Sequence, residues 1–321
     1  MTDIRHLSTA GNRPARGVEG DHVMHVFVTG ASGWIGSAVV DELLAAGHKV
    51  TGLARSDRAA EALQAKGAQI RRGDLDDLGS IRAGVEDAEA VIHLANKHDF
   101  SNPAASSAAE RAAVQTIGDA LVGTGRRFLF ASGVAGLAQG RPATEDDASA
   151  AHGPDSPRGG SENLAFEFVD RGVHSVSLRF APTVHGVRDH GFIAAIAGVA
   201  REKGVSGYSG DGTNQWAAVH RADAARLVAL GLEKAPAGAR LHAAAEEGVS
   251  TREIAEAIGR AFDLPVRSID PGDARDHFGW IGNFFAMDLP ATSTATRELL
   301  GWTPVGPTLI HDIDTGAYSA R

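Results

Sequence analysis

The chain contains no cysteine. Disulfides, cysteine-ligated zinc and thiol catalysis are therefore excluded, and the composition fits a reducing, cytoplasmic setting. Tyrosine is scarce: Tyr208 and Tyr318 are the only two in 321 residues. No apolar run approaches the ~18 residues of a membrane span, so no membrane partner is expected. A net charge of -9 leaves no basic face for a general nucleic-acid binder. Residues 1–22 lack the apolar core of a signal peptide and any helical periodicity. They read as a disordered extension. No His-Glu-x-x-His or comparable spacing offers a metal site.

What is present centres on one stretch. Val26 to Val28 reads as a buried strand and Ser37 to Ala46 as a helix with an apolar stripe. Between them lie Thr29, Gly30, Ala31, Ser32, Gly33, Trp34, Ile35 and Gly36. Gly30 allows a sharp exit from the strand. Gly33 removes a side chain where a pyrophosphate approaches the backbone, and Gly36 lets the helix lie close on the sheet. The free N–H groups of the first helical turn then face phosphates. The alternative is a glycine-rich turn that binds nothing.

The chain continues as strands at 48–54, 68–71, 90–95, 127–131 and 173–180, separated by helices at 59–66, 78–85, 104–123 and 161–171. This alternation predicts an α/β fold, a doubly wound parallel sheet of Rossmann type with right-handed crossovers. Ligands then bind beyond the carboxyl ends of the strands. Arg55 and Ser56 end the second strand, where an arginine pairs with a 2′-phosphate and an acid accepts from a 2′-OH. They point to NADP(H) over NAD(H). Asp57 dissents, or caps the next helix. Asp74, with Leu75, follows the third strand, as an acceptor for the adenine amino group or as a turn residue. From about 187 the rhythm breaks. Residues 23–186 are expected to form the cofactor-binding domain, and 187–321 a substrate lobe with late Rossmann elements interleaved near 216–232.

In this order the chain resembles the extended short-chain dehydrogenase/reductase superfamily, in its epimerase/dehydratase branch. The matching segments are Thr29 to Gly36, Gly73-Asp74-Leu75, His93-Leu94-Ala95, Leu178 to Pro182, Trp216 to Ala225 and Leu299 to Pro304. The resemblance implies cofactor contacts at Ala95 and Pro182 as well as the glycine loop. It also implies a homodimer through the helices at 104–123 and 161–171. The family uses a Ser after the fifth strand and a Tyr-x-x-x-Lys pair, the Tyr passing a proton and the Lys lowering its pKa. Here Arg158 falls at the Tyr position and Glu162 at the Lys position. Gly133 falls at the Ser position, with Ser132 one residue earlier. The chain looks like an atypical subgroup without that proton relay.

Other groups must then do the chemistry. Arg158 can bind an anion or steady an oxyanion, or simply pair with Glu162 one helical turn on. His185 follows the sixth strand and can titrate near neutral pH. His98 and Asp99 follow the fourth strand, and Asp189-His190 lie in the loop expected to cross the site. Tyr208 is either a displaced acid or a packing residue. His220 and Asp223 read as structural. The expected function is an NADP(H)-dependent oxidoreductase acting on a carbonyl, imine or alcohol of a small-molecule substrate. The alternatives are a sugar-nucleotide epimerase or dehydratase, and a non-catalytic NAD(P)-sensing regulator.

Overall fold

The computed structural model describes residues 23–99 and 101–319; the extension expected at residues 1–22 lies outside them. β1 (His25–Thr29) runs through the glycine corner into α1 (Trp34–Ala45). Then come β2 (Lys49–Ala54), α2 (Asp57–Ala65), β3 (Gln69–Arg72), α3 (Leu78–Glu86), β4 (Ala90–His93), α4 (Pro103–Leu121), β5 (Arg127–Gly133), α5 (Ser161–Glu167) and β6 (His174–Phe180). The second half holds β7 (Thr183–His185), α6 (Phe192–Lys203), β8 (Ser206–Ser209), β9 (Gln215–His220), α7 (Arg221–Lys234) and β10 (Arg240–Ala243). It ends with β11 (Glu246–Ser250), α8 (Thr251–Phe262), β12 (Val266–Ile269), α9 (Ala274–Phe278), α10 (Gly282–Phe285), α11 (Thr294–Leu300) and α12 (Leu309–Asp314).

Seven strands form one sheet in the order β10-β6-β5-β4-β1-β2-β3, and every neighbouring pair is parallel. Both faces are covered, as a parallel sheet requires. In β1, Val26 and Val28 join one apolar layer and Phe27 the other; in β5, Leu129 joins the first and Phe128 and Phe130 the second. The order reverses between β1 and β4, so the ligand crevice opens at their carboxyl ends. β10 is a seventh strand that the sequence reading did not place. β9, in contrast, belongs to a separate three-stranded sheet, β11-β9-β7, and β8 pairs with β12. These strands and α6, α8–α10 and α12 surround a second core built on Trp216, Ile254, Ile258 and Phe285.

The glycine corner is tight where the sequence requires it. Gly30 has φ +68°, the left-handed region, and a Cβ there would strike the Leu94–Ala95 backbone at 2.7 Å. A Cβ on Gly36 would collide with the Gly30 carbonyl, whereas one on Gly33 would meet only that carbonyl, at 3.1 Å. Gly36→Ala is therefore expected to lower stability by about 2–3 kcal/mol, because backbone cannot move aside as a side chain can. Gly33→Ala should cost less than about 1 kcal/mol. Urea unfolding of the two variants without added ligand checks the contrast; equal losses would mean that Gly36 is not set by this contact.

Candidate active site

The corner leaves the start of α1 without a side-chain cap. Gly33 is the N-cap of α1, has no side chain to cap the helix, and the first turn carries no acid. The orphan N–H groups and the positive end of the helix dipole fit a phosphate. Ser32 and Gly33 are exposed beside them. Thr29 is fully buried. Its Oγ1 lies 2.7 Å from His93 Nδ1 and accepts from the Ala95 N–H at 3.4 Å. Its side chain thus ties β1 to the end of β4. Ile35 and Leu75 are half-buried against the two layers beside the sheet, and Pro182 is half-buried between β6 and β7.

Trp34 is clamped. Its Nε1 donates to the Val184 carbonyl at 2.7 Å, the Arg221 guanidinium lies 4.3 Å from its ring, and Arg221 Nε donates to the Trp34 carbonyl at 2.5 Å. His190 meets the ring edge-on at 5.6 Å. The glycine loop is thereby tied to β7 and α7.

At the ends of β2 and β3, Ser56 caps α2, accepting from the Ala59 N–H. Asp57 pairs with Arg72 at 2.6 Å. Arg55 is exposed and, among the described residues, has no ion-pair partner. Asp74 Oδ1 accepts from the Asp76 and Asp77 N–H groups, so this oxygen closes a turn.

The structure brings Arg158, His98 and Ser132 to one place, at the carboxyl ends of β4 and β5. Arg158 has φ +54°, just before α5. Its Nε and Nη2 donate to Glu110 at 3.1 and 2.6 Å, and Nη2 also donates to the Ala131 carbonyl at 3.0 Å. Nη1 makes no hydrogen bond among the described residues, and the side chain keeps 39% of its exposure. Glu110, almost fully buried on α4, also accepts from Asn96 Nδ2 at 2.7 Å. The sequence reading missed Glu110. Its signal is a lone acid on the inward face of an alanine-rich helix. Ser132 is half-buried on β5, next to Ala131.

His98 is exposed, with its backbone N–H donating to Asn96 Oδ1 at 2.8 Å. Crowding by protein, then the charges of Arg158 and His190, hold its pKa below the usual imidazole value. It is therefore neutral at pH 7. His93 is buried behind it, its pKa lowered to about 4 by desolvation and by Arg158.

Two expectations are corrected. Arg158 does not pair with Glu162. Glu162 is buried and accepts instead from Arg179 Nε at 2.7 Å and Ser177 Oγ at 2.6 Å, because fully buried Arg179 on β6 needs a counter-charge. His185 does not stand on the site edge. It is fully buried, its Nδ1 2.6 Å from Asp312 Oδ2 on α12 and its Nε2 3.7 Å from Glu246 Oε1. A proton donor that no substrate can reach has no catalytic use. Tyr208 packs under Arg252, 5.0 Å from its ring. His220 caps α7, and Asp223 accepts from the Val305 and Gly306 N–H groups.

The model of the NAD dependent epimerase/dehydratase family matches residues 26–244. The chain belongs to this family. An uncharacterized protein of Schizosaccharomyces pombe is 43% identical over 92% of this chain and 100% of its own. A 4-hydroxy-2-methyl-3-oxo-4-farnesyl-3,4-dihydroquinoline-1-oxide ketoreductase of Stigmatella aurantiaca is 27% identical over 67% of this chain and 66% of its own. The solved dTDP-glucose 4,6-dehydratase of Streptomyces venezuelae, with NAD bound, aligns with a TM-score of 0.71 at 21% identity. The alignment covers 92% of this chain and 96% of that one. The uncapped start of α1 and the glycine corner are what an NAD(P) pyrophosphate requires in this epimerase/dehydratase fold.

His185 gives a pH test. Burial lowers its pKa, but the hydrogen bonds and charges of Asp312 and Glu246 outweigh burial and raise it. A raised folded pKa means that the pair's stabilisation is complete below about pH 6.5 and fades as pH climbs through the folded value. Thermal melts of wild type and Asp312→Asn between pH 6 and 9 are expected to differ most at the acid end and to converge with rising pH. A constant gap would remove the ion pair.

Proposed function

We propose that the protein is an NADP(H)-dependent oxidoreductase with an atypical active site, reducing a carbonyl or imine of a small organic substrate or oxidising the corresponding alcohol. The observation that carries this reading is Arg158. It stands where the family has its tyrosine, it is oriented by the buried Glu110, and it holds one guanidinium arm, Nη1, out of that pairing. The nicotinamide, when bound, supplies or accepts the hydride. Arg158 cannot give up a proton, so its part is to hold the substrate oxygen and stabilise negative charge developing there. Neutral His98, close enough to Arg158 and His190 to feel their charges, suits acceptance of a proton from an alcohol, or its relay to the oxygen from water. The ketoreductase among the relatives supports carbonyl chemistry. Sugar-nucleotide epimerisation leans on the tyrosine base that this chain lacks.

NADP(H) is favoured because Arg55 is uncommitted at the ribose end while Asp57, the residue that would favour NAD, is spent on Arg72. A second reading, a sensor that binds the dinucleotide without turnover, is favoured by Glu162: the lysine position is given over to a buried structural pair.

Fluorescence titration with NADPH and NADH, using the tryptophan signal, tests the cofactor. Arg55→Asp should weaken NADPH by about tenfold or more and leave NADH nearly unchanged; equal effects on both would remove the specificity assignment. Arg158→Ala should lower turnover about 100-fold, the scale of one lost oxyanion donor, while NADPH affinity holds. NADPH that binds but is never oxidised across a panel of carbonyls and imines would favour the sensor.

A further inference from the structure

The loop from Gly186 to Gly191, between β7 and α6, is held as a turn. The Asp189 N–H donates to the Gly186 carbonyl at 3.0 Å, and Asp189 Oδ1 accepts from the Gly191 N–H at 2.7 Å. Arg188 takes φ +72°, a left-handed conformation that a residue with a side chain keeps only where its surroundings dictate it. Asp189 is buried, and its Oδ2 accepts from the Tyr318 hydroxyl at 2.8 Å. Burial and the Asp189 charge raise the Tyr318 pKa, so the phenol keeps its proton and remains a donor. Tyr318 belongs to the second core, and the Ala317 N–H beside it donates to the Asp312 carbonyl of α12 at 2.9 Å. The loop is therefore tied to the C-terminal segment of the chain.

The residue that this turn presents is His190. It is exposed, and its ring meets Trp34 edge-on, with the centroids 5.6 Å apart. Trp34 is the first residue of α1, so its N–H is one of the orphan groups at the helix start. The charge of His190 is also felt at His98, just past β4. His190 thus lies within reach of both margins of the crevice between β1 and β4. Edge-on packing against an indole needs only a ring. What a histidine adds is an N–H donor, and a charge when protonated. Among the described residues its ring nitrogens make no hydrogen bond.

We infer that His190 is a ligand of the dinucleotide's pyrophosphate, and that Asp189 and Tyr318 are positioning residues that hold it against the glycine loop. This rests on the reading of the crevice as a dinucleotide site. The pyrophosphate is the part addressed because Trp34 stands at the helix start, where phosphates sit. The first half of the chain supplies backbone donors, and the second half adds a side-chain donor whose place is set from the C-terminal end.

Calorimetric titration of the full chain with NADPH, 2′-phospho-ADP-ribose and adenosine 2′-monophosphate tests both parts. The second ligand keeps the pyrophosphate but lacks the nicotinamide, and the third lacks both. A wild type that prefers NADH is titrated with NADH, ADP-ribose and adenosine instead. His190→Ala is expected to weaken the first two ligands about tenfold, the scale of a hydrogen bond to a charged group, and to leave the third within about twofold. Tyr318→Phe should weaken the same two ligands about threefold. Added to His190→Ala it should cost less than about twofold more, because a residue that acts through His190 then has nothing left to position. Equal weakening of all three ligands by His190→Ala would make the ring a support for the glycine loop and overturns the assignment. A loss confined to the intact dinucleotide would move the contact to the nicotinamide and overturns it too. Additive losses in the double variant, or no effect of Tyr318→Phe, overturn the positioning role. No binding of either dinucleotide by the wild type removes the cofactor reading itself, and the inference with it. Binding that none of the substitutions alters removes the inference alone.

Discussion

Everything at this site depends on how closely α1 sits against the end of β1. The contact that fixes it is backbone on backbone: Gly36 beneath the Gly30 carbonyl, and Gly30 beneath the chain leaving β4. Neither leaves space for a methyl group. This crowding points the open end of α1 into the crevice between β1 and β4. It also presents Trp34 to the second half of the chain, where Val184 and Arg221 hold it from two sides. β7 and α7 are therefore attached to the cofactor corner itself. The second half of the chain is thus fixed to the glycine corner through Trp34.

The two family positions that changed did so coherently. A tyrosine and a lysine replaced at random would leave cavities and unpaired charges. Here each replacement has a partner of opposite sign. Arg158 has Glu110, and Glu162 has Arg179, which also donates to the Asp147 carbonyl at 2.8 Å. The second pair closes a buried layer and does no chemistry. The first pair is half open. A bidentate carboxylate cancels most of the arginine's net charge, which makes the site a poor trap for free anions, but it leaves the direction of the remaining N–H groups fixed.

The sheet was legible because its signals are local. Alternating strands and helices, and three glycines at one corner, need only a few consecutive residues to show themselves. β10 was not legible: Leu241 and Ala243 make a short apolar strand like those of the small sheets, and only its parallel pairing with β6 assigns it. Of the candidate site, Arg158, His98 and Ser132 were singled out because they end strands or occupy a known motif position. His185 was misplaced for the same reason. It too ends a strand, but its side chain turns toward α12, and Asp312 lies 127 residues away in sequence. Glu110 was missed because nothing adjacent marks it. It acquires its meaning from Arg158 and Asn96, on other parts of the chain.

The partial exposure of the Arg158 side chain bears on how it works. A guanidinium in open water adds little to the stability of a developing oxyanion, since water screens the charge about as well as the arginine attracts it. Burial of Glu110 alone does not change this, because the Arg158 side chain keeps 39% of its exposure. A substrate seated against Arg158 would change it, by replacing the water around the guanidinium with groups of low polarity. The same exclusion of water would then strengthen a permanent charge placed to stabilise the reaction.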